Sequence, residues 1–153
     1  MTIERIQSDD LYQGADESAY TRGLIAEGKL VFLSGQTAKN PDGKLMYAGD
    51  MAGQTRYVLE EIERSLAAAG ADMSDVVRRR IFARDTHRFI ECGAIDHLRE
   101  FWPDGAETTS TLVQVEGFSD HYHHDGPAEG VDHLDPTDSR ILVEIDVTAV
   151  IDD

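Results

Sequence analysis

Residues 30–36 read LVFLSGQ, so four apolar residues run straight into Ser34, Gly35 and Gln36. A strand that only fills a core has no use for a hydroxyl, a missing side chain and an amide at its end. Taken alone, these residues suit a plain strand end before a loop. A second polar set lies near the C-terminus, where Glu144, Asp146 and Thr148 alternate with Val143, Ile145 and Val147. The two-residue period of a strand puts the three polar residues on one face. A third set is cationic: Arg78, Arg79 and Arg80 fall in the middle of VVRRRIFA, which reads as a strand. Alternation sends Arg79 to one face and its neighbours to the other. They serve either as ion-pair partners for carboxylates or as an anchor for an anionic ligand.

Residues 119–139, SDHYHHDGPAEGVDHLDPTDS, hold His121, His123, His124 and His133 among Asp120, Asp125, Asp132 and Asp135. Such donors suit zinc, nickel or copper, but the spacing matches no established site. The expectation is no bound metal and a solvated insert between the last two strands, close enough to Glu144 to border a pocket. Cys92 is the only cysteine, so no intrachain disulfide and no cysteine-rich zinc site can form. As a lone thiol it reads as a small residue on a helix face.

Composition narrows the function classes. The chain has 153 residues, of which 41% are hydrophobic, enough for one domain with a real core. Its formal net charge is −16, and lysine occurs only at 29, 39 and 44. Such a surface repels phosphate backbones and anionic membranes, so neither nucleic acid nor membrane is an expected partner. Excess carboxylate with little lysine resembles the composition of salt-loving organisms, whose proteins rely on screening of self-repulsion. No apolar run approaches the roughly 20 residues of a membrane helix. The N-terminal MTIERIQSDD has no leader character, and a cytoplasmic location is expected.

The elements that position these groups can be read in order. Residues 3–7 suggest a short strand, and 20–25 and 29–34 suggest two more joined by a tight turn at Glu27-Gly28. Asp50 suits an N-cap for a helix over 51–69, with Val58, Ile62 and Leu66 on one face and Gly70 after its end. A strand over 76–83 follows, then a helix from Thr86, as cap, to Trp102, stopped by Pro103. Residues 111–116 and 140–151 give the last strands. The order predicts an α+β sandwich, two helices on one face of a mixed sheet.

The succession LVFLSGQ, a DG turn, GD opening a helix with Gln54, AAAGADMSDVV, FARD and VEIDVTAV resembles the Rid (reactive intermediate deaminase) family, also called YjgF-type or endoribonuclease L-PSP proteins. The resemblance spans residues 15–118 and 140–151. It implies a single domain over 1–153 with a chorismate-mutase-like fold, a homotrimer, and ligand pockets between neighbouring subunits. It implies hydrolysis of enamine and imine acids to 2-keto acids and ammonia without any cofactor. Carried over residue by residue, it makes Tyr20, Ser34 and Gly35 pocket-lining and Glu144 the group that positions water.

One departure stands out. Members active on 2-imino acids carry an arginine at the start of the penultimate strand. Here ETTSTLVQVEG puts Ser110 at that position and Leu112 where cysteine is frequent. A hydroxyl cannot replace a bidentate grip on a carboxylate. Arg22, two residues from Tyr20 and on the same strand face, or one of Arg78 to Arg80 is the candidate substitute. Three functions follow: a divergent enamine or imine hydrolase, a metabolite-binding trimer without chemistry, or, against the charge, an endoribonuclease. The charge itself predicts that the unfolding midpoint, followed by circular dichroism, rises as salt shortens the Debye length from about 10 Å to about 3 Å. A midpoint independent of salt would show that self-repulsion is unimportant.

Overall fold

A computed structural model describes residues 1–6, 10, 20–102, 108–118 and 140–152. The insert at 119–139, with its histidines, lies outside the described residues. Two short strands open the chain, β1 (Thr2–Arg5) and β2 (Leu24–Glu27), followed by β3 (Lys29–Gln36) and helix α1 (Met51–Ala68). A single 3-10 turn, Met73–Asp75, leads into β4 (Val76–Ala83). Helices α2 (Thr86–Glu91) and α3 (Ala94–Phe101) precede β5 (Thr109–Gln114) and β6 (Val143–Ile151).

The main sheet has the order β3-β6-β4-β5. β6 runs antiparallel to both of its neighbours, and β4 pairs with β5 in parallel. The sheet is therefore mixed, as expected, with the chain's last strand near its centre. β1 and β2 form a separate antiparallel ribbon. The hairpin expected at Glu27-Gly28 does not form. Only Gly28 separates β2 from β3, too few residues for a two-residue turn, and each strand finds its partner elsewhere.

One face of the sheet meets the helices. Val143, Ile145, Val147 and Ala149 of β6 and Ile81 and Ala83 of β4 are buried there. Against them α1 sets Val58, Leu59, Ile62 and Leu66, the apolar stripe visible in the sequence. Each such side chain contributes about 1.5–3 kcal/mol on full burial. α1 starts as expected: the Asp50 side chain accepts a hydrogen bond from the Gly53 N–H at 2.9 Å. The second helix departs from expectation in two ways. Its cap is Asp85, which accepts from the Arg88 N–H at 2.9 Å, one residue before Thr86. It also breaks in two at Gly93, whose φ of 93° lies in the left-handed region. The second segment can then turn Ala94 and Leu98 into the core.

Two polar side chains lock the end of the sheet from which the insert departs. Gln54 is fully buried on α1. Its Nε2 donates to the carbonyls of Tyr47 and Arg140, each at 3.2 Å, and its Oε1 accepts from the Leu142 N–H at 2.9 Å. Arg84, just past β4, donates from Nε to the Ile141 carbonyl at 2.7 Å and from Nη1 to the Glu116 carbonyl at 2.8 Å. Both roots of the insert are thus tied to the body of the domain. Replacing Gln54 by Leu keeps the volume but leaves buried backbone groups without partners. The expected loss in a denaturant titration is about 2–4 kcal/mol of unfolding free energy. A loss below 0.5 kcal/mol, on the order of a surface change, would mean that these bonds are not limiting.

Candidate functional site

The opposite face of the sheet is open. Phe32 is 71% exposed, Leu30 55% and Val113 41%, all on strands of the main sheet. Register puts Thr148 between Phe32 and Arg78, and Glu144 beside Phe82. Glu144, Asp146 and Thr148 share this face, as their alternation with the buried valines required. Arg80 grips Asp146 with two bonds, Nε to Oδ1 at 2.9 Å and Nη2 to Oδ2 at 2.6 Å. That contact raises the pKa of the Arg80 guanidinium. The carboxylate pairing expected for the arginine run therefore holds for Arg80.

The SGQ end of β3 has a structural cause. Leu33 pairs with Val147 and Gln36 with Ile145, so Ser34 and Gly35 together face Asp146 alone. This is a β-bulge, a device that re-aims side chains at the margin of a sheet. The Gln36 side chain steadies it by donating to the Ser34 carbonyl at 2.9 Å. Gly35 is needed because Glu144 lies across it. A Cβ at residue 35 would sit 2.0 Å from Glu144 Oε1 and 2.6 Å from its Cδ. The bulge thus seats the Glu144 carboxylate over bare backbone beside the exposed Ser34.

The remaining sequence candidates lie elsewhere. Thr21 donates its N–H to the Thr108 carbonyl at 2.7 Å and bridges to Thr109, which puts Tyr20 and Arg22 along the outer edge of β5. Tyr20 and Arg22 are exposed while Thr21 between them is buried, the alternation of an edge segment. Four strand spacings of about 4.8 Å separate this edge from β3, or about 19 Å. Within one chain, Tyr20 and Ser34 do not meet. Ser110 and Leu112 pair in register with Arg79 and Ile81, so they face the helices. They lie on the opposite side of the sheet from Glu144. Ser110 Oγ accepts from Arg79 Nε at 2.9 Å. Arg79 is only 2% exposed, and its Cζ lies 4.4 Å from the centroid of the Trp102 ring. Burial lowers its pKa to about 10, which leaves it cationic at neutral pH.

Sequence reasoning missed this last cluster. It gave Arg79 either a carboxylate partner or an anionic ligand, and Trp102 only a place at the end of a helix. The available signal was the middle arginine of a triplet, sent by alternation into the helix layer. Cys92 is exposed, not packed on a helix face. Among the described residues, no group of three or more His, Cys, Asp or Glu side chains could hold a metal. No described helix is long and apolar enough to cross a membrane.

A mixed sheet with helices on one face and a bulge-seated carboxylate on the other defines an α+β protein of the type foreseen. The chain belongs to the endoribonuclease L-PSP family, the Rid or YjgF-type family, whose model matches residues 14–151. Protein DfrA of Myxococcus xanthus is 44% identical over 91 residues, 60% of this chain and 67% of DfrA. The Yersinia pestis Rid-family protein YyfB, described as of unknown function, superposes with a TM-score of 0.74 at 22% identity, covering 99% of this chain and all of that one (100%). Rv2704 of Mycobacterium tuberculosis, a YjgF/YER057c/UK114 family member, gives 0.54 at 27% identity over 98% of this chain and 100% of its own. RidA from an Antarctic Psychrobacter gives 0.60 at 20% identity over 97% and 99% of the two chains.

Gly35 does not sit at positive φ, so alanine there is permitted by the backbone. Its methyl group must drive Glu144 from its seat. Gly35→Ala is expected to cost about 1–3 kcal/mol and to fold, with the Glu144 carboxylate displaced in a crystal structure of the variant. An unmoved Glu144 would contradict the close approach.

Proposed function

We propose that this protein is an enamine or imine hydrolase of altered specificity, acting as a homotrimer with its pockets between subunits. The observation that carries this reading is the Glu144 carboxylate, held over the Gly35 backbone beside Ser34 on an uncovered sheet face. Side chains as apolar as Phe32, Leu30 and Val113 on that face favour burial against further copies of the chain. Association also supplies what one chain lacks. The β5 edge with Tyr20 from one subunit can approach the Ser34–Glu144 corner of another.

In such a pocket Ser34 and Tyr20 orient the substrate. Glu144 accepts a proton from water as its oxygen bonds to the imine carbon. The proton passes to the nitrogen to give a carbinolamine, whose hydroxyl proton then moves through Glu144 to the nitrogen as the carbonyl forms and the carbon–nitrogen bond breaks. An imine and water thus become a carbonyl compound and ammonia, with no cofactor. An enamine first takes a proton on carbon to give the imine. A non-catalytic metabolite-binding trimer is the second reading, favoured by Ser110 standing where related sequences carry arginine. The charge of −16 weighs against ribonuclease activity.

The test is a coupled assay at high salt, in which a pyridoxal-phosphate dehydratase makes 2-imino acids from serine and threonine. Keto-acid release should be faster with this protein, and the gain should fall about 100-fold or more in Glu144→Gln. Protein that is folded and trimeric by light scattering yet gives no acceleration would overturn the hydrolase. A small molecule retained through purification without turnover would support the binding trimer.

A further inference from the structure

The row of side chains that crosses the open face at Glu144 turns apolar on one side of it. Glu144 on β6 pairs in register with Phe82 on β4, and Phe82 pairs with Val113 on β5. Directly paired residues share a face, so all three lie on the side away from the helices. Phe82 is half-buried and Val113 is 41% exposed. On the other flank of Glu144 stands Gly35, which has no side chain. The next row is polar throughout, with Asp146, Arg80 and Thr111 in register. Arg80 is held by both oxygens of Asp146, and its Cζ lies 5.8 Å from the centroid of the Phe82 ring. A guanidinium so fixed steadies the ring it touches. Strand spacing sets the scale of the apolar strip. Phe82 is about 4.8 Å from Glu144 along the row, and Val113 about 9.6 Å. That is the reach of a medium-sized amino-acid side chain whose α-carbon stands at Glu144.

We propose that Phe82 and Val113 form the wall that receives the substrate's side chain, so that the protein prefers imines of medium-sized apolar amino acids. This rests on the hydrolase reading for the reaction, and on the register of β4, β5 and β6 for the wall. The imine carbon stands at the Ser34–Gly35 end, within reach of Glu144, and its side chain runs across Phe82 toward Val113. Pockets of this kind combine apolar walls with a few polar groups that fix orientation. A polar chain laid along the strip gives up its hydrogen bonds to water and gains none. A short chain leaves the carbon of Val113 uncovered. The pair of Arg80 and Asp146 borders the strip and marks where the apolar wall stops.

The experiment compares two imino acids of similar length and opposite polarity. An L-amino-acid oxidase, with oxygen as oxidant and catalase to remove peroxide, makes them from methionine and from glutamine. Hydrolysis is read as the loss of the semicarbazone that forms while each imine survives. The acceleration is expected to be at least tenfold greater for the methionine-derived imine. Val113→Asn, which makes the end of the wall polar, should lower that ratio about fivefold or more. Val113→Thr keeps the volume and replaces one methyl by a hydroxyl, and serves if Val113→Asn does not fold or assemble. Equal acceleration of the two imines, or a ratio unmoved by either variant, would overturn the wall and leave the hydrolase standing. Loss of the trimer in both variants, by light scattering, would assign Val113 to the seam between subunits and overturn the wall as well. If folded, trimeric protein accelerates neither imine, the hydrolase falls. Calorimetry with 4-methylthio-2-oxobutanoate and with pyruvate then decides the wall by itself. Tighter binding of the longer keto acid that depends on Val113 would support it, and equal binding, or none, would overturn it.

Discussion

Strand β6 is buried on one side only, and the rest of the molecule is arranged around that fact. Val143, Ile145, Val147 and Ala149 leave water entirely or almost so, while Glu144, Asp146 and Thr148 stay partly exposed. The helix layer can cover one face of a four-stranded sheet, and the chain offers no second layer among its described residues. A sheet covered once must face solvent or another molecule with its other side. Here that side mixes an exposed phenylalanine, a leucine and a valine with a paired arginine and two carboxylates. It carries more apolar surface than an ordinary wet face and more charge than a core.

The polar bonds inside the domain serve that arrangement. Gln54 and Arg84 direct hydrogen bonds to backbone at residues 47, 116 and 140–142. They hold the chain where it enters β6, two residues before Glu144. The bulge at Ser34 and Gly35 does the complementary work from β3 by clearing room for that carboxylate. Seating one side chain therefore engages three elements, α1, β3 and the end of β4.

The arginine triplet shows how one sequence feature divides among three fates. Arg80 pairs with Asp146 on the open face, Arg78 is exposed beside Thr148, and Arg79 is buried against Trp102 and Ser110. Strand alternation alone separates Arg79 from its neighbours. Burying a guanidinium carries a desolvation cost of several kcal/mol, so the middle position is the one where lysine or an apolar residue would change most.

Local patterns in the chain were enough to determine most elements. The stripe on α1, the Asp50 cap, β4 and the two-faced β6 are periodicities and end signals carried within a dozen residues. The motifs that carry the family resemblance are local for the same reason. Tertiary structure alone decided which strands pair. Gly28 looked like a hairpin turn, yet β2 joins β1 and β3 joins β6, because partner choice depends on distant strands. It alone decided that Ser110 faces the helices and that Tyr20 lies on the far edge from Ser34. It also decided that Arg79 meets Trp102, two residues separated in sequence by two helices and a glycine break. Periodicity assigns a side chain to a face, but what lies across that face is set by how the chain packs.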